Sequence, residues 1–109
     1  MNKRLIDLLK KNKRTVIGIL SGTSVDAVDA VLLQIIGSGL KTKIKVIDFT
    51  EITMPQQVRL AVFKNSDKKT ASIEEISRLN VILGALFSDA VLKLLKRNSM
   101  QATSVDLIG

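Results

Sequence analysis

IGILSGTSVDAVD, residues 17 to 29, is a β-branched run that stops at small hydroxyl residues and is followed at once by two aspartates. Thr15 to Leu20 is apolar at successive positions, as expected of a strand buried on both faces. Val28 to Ile36 reads as a second strand, which leaves the residues from Ser21 onward as the bend between them. An apolar strand feeding a short Gly, Ser and Thr turn can present backbone N–H groups and hydroxyls to a phosphate. An ordinary hairpin loop has the same composition, so residues 22 to 24 support either reading. The P-loop pattern G-x-x-x-x-G-K-[ST] is absent, and its lysine and Mg-binding hydroxyl cannot be invoked. Asp26 and Asp29 raise the phosphate reading, because carboxylates beside such a turn can hold Mg²⁺ directly or through its waters. Their spacing puts them on opposite sides of a regular strand, so both face one ion only if Asp26 lies in the turn. Asp29 fits equally well as a residue that hydrogen-bonds the turn backbone.

Working outward, Gly37-Ser38-Gly39 marks a second reversal, and Lys43 to Met54 opens with lysines 43 and 45 alternating with Ile44 and Val46. That alternation predicts a third strand with one wetter face. Three strands joined by short turns make an antiparallel meander. Pro55 suits the first turn of a helix, and Val58, Ala61 and Val62 then recur at helical spacing up to Lys64. Ser72 and Glu75 have the spacing of a capping box, and Ile76, Leu79, Leu83, Phe87, Ala90, Val91, Leu94 and Leu95 mark one face of a long helix. Lys93, Lys96 and Arg97 fall where the helix dipole favours cations, with Asn98 placed to be a left-handed cap. Asn80 and Gly84 lie one turn apart near the apolar face, which predicts a close backbone approach at Gly84 and favours packing over ligand binding there. Val105 to Ile108 starts another apolar run before the chain ends at Gly109, an expectation of a truncated domain.

A chain of 109 residues has room for one core, and 46% hydrophobic residues mark it as a folding sequence. With three Phe and no Tyr or Trp, that core must rest on Val, Ile and Leu. The absence of Cys and His excludes disulfides, thiolate zinc sites, cysteine nucleophiles, Ser-His triads and His-ligated metals. Chemistry is left to carboxylates, hydroxyls, Lys and Arg. The net charge of +7 is concentrated in Met1 to Arg14, where Lys3, Arg4, Lys10, Lys11, Lys13 and Arg14 face only Asp7. The remainder is nearly balanced, so no nucleic-acid partner is expected. No apolar run approaches the ~20 residues of a membrane span, and the basic N-terminus lacks the features of a signal peptide. No membrane partner is expected and the expected compartment is the cytoplasm. Residues 1–14 are read as a basic helical extension, with Leu5, Ile6, Leu8 and Leu9 among lysines. Its functional reading is contact with a membrane surface or polyanion. The plainer reading is a helix packed on the domain with its lysines in water.

The stretch IGILSGTSVDAVD also resembles the opening signature of the anhydro-N-acetylmuramic acid kinases, IG-x-MSGTS-x-DG-x-D. LNVILGALFSD, residues 79 to 89, is similar to the LN-x-x-LG-x-LF-x-[DE] stretch on that family's long helix. VDLIG, residues 105 to 109, resembles the run that leads into SHGQT. Order and approximate spacing agree across residues 16 to 109. The resemblance implies an α/β fold: a ribonuclease-H-like (actin-like ATPase) half-domain over residues 15–109, built as an antiparallel β-meander, two helices and the start of a fourth strand. It implies ATP and Mg²⁺ as cofactors and an anhydro amino sugar as substrate, whose 1,6-anhydro ring is opened while O6 is phosphorylated. In that scheme water attacks the anomeric carbon, with an aspartate as general base. The implied nucleotide-phosphate segment is Gly22, Thr23, Ser24, Val25, Asp26, Ala27, Val28 and Asp29. Gly22 would admit the phosphates, Thr23 and Ser24 would donate hydrogen bonds, Asp26 would place Mg²⁺, and Asp29 would brace the turn or the metal waters. Leu20 stands where the family has Met, and Ala27 where it has Gly; if position 27 needs positive φ, the methyl costs on the order of 1 kcal/mol. No catalytic residue is expected within the chain, and this polypeptide alone is expected to be inactive. Unfinished sheet edges leave room for a homodimer.

Overall fold

In the computed structural model, which describes residues 2–109, three consecutive strands pair antiparallel: β1 (Lys13–Leu20), β2 (Ala27–Ile36) and β3 (Lys43–Thr53). Helix α1 (Lys3–Lys10) precedes them, and α2 (Gln56–Ser66) and α3 (Ile73–Arg97) follow. The last strand, β4 (Leu107–Ile108), returns parallel to β1, giving the sheet order β3-β2-β1-β4. The mixed α/β topology is the one the sequence pattern predicts. Although β4 is short, its ladder extends on either side: Asp106 N–H donates to Thr15 O at 2.9 Å, and Gly109 N–H to Ile17 O at 3.0 Å. The turn between β2 and β3 depends on Gly37, whose φ is 80° and where a Cβ would lie 3.2 Å from the Lys41 carbonyl oxygen.

The core lies on one side of the sheet. Ile17 pairs with Leu32, Val28 and Ala30 share their face, and Ala90, Val91, Leu94 and Leu95 of α3 close over them. Leucine and β-branched residues fill this layer, as the dearth of aromatics requires. The expectation that β1 is buried on both faces is not met: Leu20 is 66% exposed and Phe49, paired with Val31 on the same side, is 52% exposed. Among the elements described, the helix that covers the sheet is α3, and it covers one face.

Ser72 caps α3 by accepting the Glu75 N–H at 3.3 Å, but the reciprocal half of the capping box is replaced. Asn65, at the end of α2, takes the Ser72 N–H at 2.9 Å and donates its own amide to Glu75 at 2.8 Å, with Lys64 adding a 2.8 Å ion pair. The side chain that would have closed one helix's cap thus ties two helices together. Ile76 is 47% exposed, and an added Cβ at Gly84 would meet nothing within 4 Å, so the predicted close approach there is absent. Asn80 is exposed as well. At the other end the left-handed residue is Ser99 (φ 51°) and not Asn98. Met100 N–H reaches Leu95 O at 2.9 Å and Ser99 N–H reaches Lys96 O at 3.2 Å, which is a Schellman closure. Asn98 uses its side chain instead, donating to Leu94 O and Asp48.

Asp48 sits at a bulge of β3, where Leu32 pairs with Asp48 and Leu33 with Val46. Arg97 grips its two oxygens at 2.7 Å each and Asn98 adds a 2.8 Å bond. The Arg97 hydrogen bonds, then that from Asn98, hold the Asp48 carboxyl well below the usual carboxylate range; the Phe49 N–H and the guanidinium charge act in the same direction, against partial desolvation. A depressed folded-state pKa contributes stability that is present above the unfolded value, about 3.9, and lost as pH falls through the folded value. Asp48→Asn is therefore expected to lower the melting temperature at neutral pH and to flatten its decline below about pH 4. Circular-dichroism melts across pH 2 to 7 check this, and equal acid sensitivity of the two proteins would sink it.

Candidate functional site

The bend from Ser21 to Asp26 is closed by one backbone hydrogen bond, Val25 N–H to Gly22 O at 3.0 Å. Its last corner falls on Val25, with φ 52°, a left-handed conformation that costs a β-branched residue roughly 1–2 kcal/mol. Val25 is half-buried against the core, and that packing offsets the strain. The condition under which Ala27 would be strained is not met: Ala27 is the first residue of β2, its φ is not positive, and its methyl carries no such penalty.

The rim of the turn is braced from outside. Ser24 Oγ donates to Asp26 Oδ1 at 3.0 Å, while the Ser24 carbonyl accepts from Arg59 Nε at 2.9 Å. Arg59 belongs to α2 and also lies 5.1 Å from the centroid of the Phe63 ring. Asp26 O accepts the Met54 N–H at 2.8 Å, which fixes where β2 begins. Among the described residues, the backbone N–H groups of Gly22, Thr23 and Ser24 donate to no protein acceptor. An added Cβ at Gly22 would meet nothing within 4 Å. The turn thus presents a row of amides, the Thr23 hydroxyl and open space.

Asp26 and Asp29 take different places. Asp26 is exposed in the bend, just before β2. Asp29 is half-buried in β2 opposite Leu20, on the sheet face away from α3, and its Oδ1 has no hydrogen-bond partner. With Gly18, Leu20, Val31, Phe49 and Gly109 it lines an open depression of about 380 Å³. Ser21 Oγ is also buried without a partner. Buried polar atoms that lack partners are costly, so these two are the ones an incoming donor or cation would satisfy. Val28 points the other way, into the core, and is 1% exposed. Among the described residues no group of three or more acidic side chains gathers to enclose a metal.

Sequence reasoning placed Ser21 at the start of the bend without giving it a role, and overlooked Arg59 and Phe49. Ser21 was readable as part of SGTS. Arg59 was not, because its acceptor is a main-chain carbonyl 35 residues away.

A hydroxyl-rich hairpin bend, a long crossover helix and a strand returning parallel beside the first define a half-domain of the ribonuclease-H-like, actin-like α/β class. The family model for anhydro-N-acetylmuramic acid kinase matches residues 14–109. The chain belongs to that family. It is 38% identical over 106 residues to an anhydro-N-acetylmuramic acid kinase of Caldanaerobacter subterraneus, covering 97% of this chain and 27% of the relative. It is 33% identical to that of Salinibacter ruber, covering 96% and 26%, and 35% identical to that of Clostridioides difficile, covering 85% and 24%. The chain therefore spans about a quarter of the length of the curated relatives it matches.

Proposed function

We propose that this chain supplies the nucleotide-phosphate turn of a cytoplasmic, ATP-dependent kinase that converts 1,6-anhydro-N-acetylmuramic acid to N-acetylmuramic acid 6-phosphate. The observation that carries the reading is the free amide row from Gly22 to Ser24, set against the orphaned oxygens of Ser21 and Asp29. Amides fixed by a braced turn can bind phosphoryl oxygens without reorganising, and phosphoryl transfer is chiefly positioning and charge neutralisation. Thr23 adds a hydroxyl donor at the rim, while the Ser24 hydroxyl is spent on Asp26 and orients its carboxylate. ATP supplies the transferred group and Mg²⁺ neutralises its phosphates. Mg²⁺ keeps most of its waters and needs one or two protein carboxylates, so the exposed Asp26 is sufficient as its protein ligand. Asp29 steadies the metal's waters or the turn from beneath.

The general base and the sugar contacts are assigned to the part of the family's length that this chain does not span, and residues 1–14 to an extension of the kinase domain proper. Neither catalysis nor sugar binding is ascribed to any of the 109 residues. The purified chain is expected to release no ADP from ATP and anhydro sugar above an Asp26→Ala control in a coupled assay. The full-length kinase carrying the same turn is expected to turn over, and to lose activity when the turn is blocked. Turnover by the 109-residue chain alone would contradict this division of labour.

A further inference from the structure

Helix α1 lies before residue 14, where the family-model match begins; the alignment to the Caldanaerobacter relative takes in most of it, but the kinase reading gives it no task. On a helical wheel Leu8, Leu5, Leu9 and Ile6 follow one another along one arc, and Lys10, Lys3 and Asp7 occupy the opposite one. An amphipathic helix of a folded domain normally turns its apolar arc inward. This one does so only in part: Ile6 and Leu8 are half-buried, none of its residues is buried, and the two at the centre of the arc, Leu5 and Leu9, are 46% and 63% exposed. Its C-terminus is nonetheless pinned. Arg14 donates to the carbonyls of Leu8 at 3.0 Å and Leu9 at 3.1 Å, and Lys11 pairs with Asp106 at 2.5 Å. Asp106 also takes the Thr15 N–H at 2.8 Å; burial pushes its carboxyl up, but the Lys11 and Thr15 bonds outweigh this and keep it low. An open groove of about 790 Å³ separates α1 from Val105 and Leu107. The helix is thus held to the domain at its C-terminal end by one ion pair and by Arg14, with the centre of its apolar arc, Leu5 and Leu9, uncovered and its cations around it.

We propose that α1 is an interfacial anchor that lays this protein on an anionic lipid surface. The charge is complementary, with six cations against one anion in residues 3 to 14. A polyphosphate chain would use the lysines and leave Leu5 and Leu9 in water, whereas the headgroup boundary of a bilayer receives both. Lys3 and Lys10, which make no ion pair among the described residues, can reach lipid phosphates. The helix has eight residues and no helix of the described chain is long and apolar enough to cross a membrane, so the contact is peripheral and reversible.

Co-sedimentation of the purified protein with vesicles containing phosphatidylglycerol, against vesicles of phosphatidylcholine alone, tests this. Binding to the anionic vesicles is expected at low salt, weakened at least about tenfold by Lys3→Gln/Lys10→Gln and abolished by Leu5→Glu/Leu9→Glu. Both pairs are exposed, and melting curves establish that each variant folds. Equal binding of the Leu5→Glu/Leu9→Glu variant would overturn the proposal and locate adsorption on the open sheet face or in bare electrostatics. Binding of the protein to single-stranded RNA unaffected by that variant, without vesicle binding, would assign the segment to a polyanion. Loss of fold in that variant, with no vesicle binding by the parent, would mean that α1 packs down on Val105 and Leu107 in solution, which also overturns it.

Discussion

Leu94→Ala is expected to lower the unfolding free energy by about 3 kcal/mol. Leu94 is fully buried in the layer where α3 crosses the sheet, among Ile17, Val28 and Leu32, which are also sealed from solvent. The three sheet residues are held in register by two antiparallel ladders, and α3 is pinned at this end by Arg97 and Asn98 on Asp48. Neither side can move in to fill the void, so the cavity term adds in full to the lost transfer energy. Leu92, on the same helix but 54% exposed, serves as the control, and its replacement by Ala should change stability by less than about 0.5 kcal/mol. Urea titrations of both variants measure the difference. Equal midpoints would show that the sheet's other, open face carries the stability instead.

Most of the fold was legible because its signals are local. The apolar runs of β1 and β2, the alternation that opens β3, the glycine reversal at Gly37 and the long apolar face of α3 each follow from residues within a few positions of one another. What misled was every feature decided by a distant partner. Glu75 has the capping-box spacing, yet Lys64 and Asn65 claim its carboxylate. Asn98 has the composition of a left-handed cap, yet Asp48 claims its side chain and Ser99 takes the positive φ. Gly84 lies beside an apolar stripe, but no element approaches it in the described structure. At the turn, sequence located the bend and placed Asp26 and Asp29 near it, but could not say that Val25 bears the strain. Residue preference argued against a β-branched residue there, and the core contact that compensates is made only after folding.

Gly22→Val in the full-length kinase is expected to reduce kcat/KM by about 10² or more, the loss typical of removing a preorganised donor to a phosphoryl or oxyanion group. The substitution is informative because the chain itself does not need a glycine here. Gly22 is outside the left-handed region and an added Cβ meets nothing within 4 Å, so the variant should melt with the parent protein. What the branched side chain would fill is open space at the bend that carries the free Gly22, Thr23 and Ser24 amides. Binding energy used to seat the phosphates should then be lost in a particular way: the KM for ATP rises, kcat falls as the γ-phosphoryl group is misplaced, and the KM for the sugar is unchanged. Gly22→Ala should fall between the two, since a single methyl crowds the phosphates less. Thr23→Val leaves the amide in place while removing the hydroxyl, so a smaller loss there would assign the larger share of the work to the main chain. A Gly22→Val enzyme with parental kinetics for ATP would mean that no phosphate comes near this bend, and the orphaned oxygens of Ser21 and Asp29 would then need another ligand to account for them.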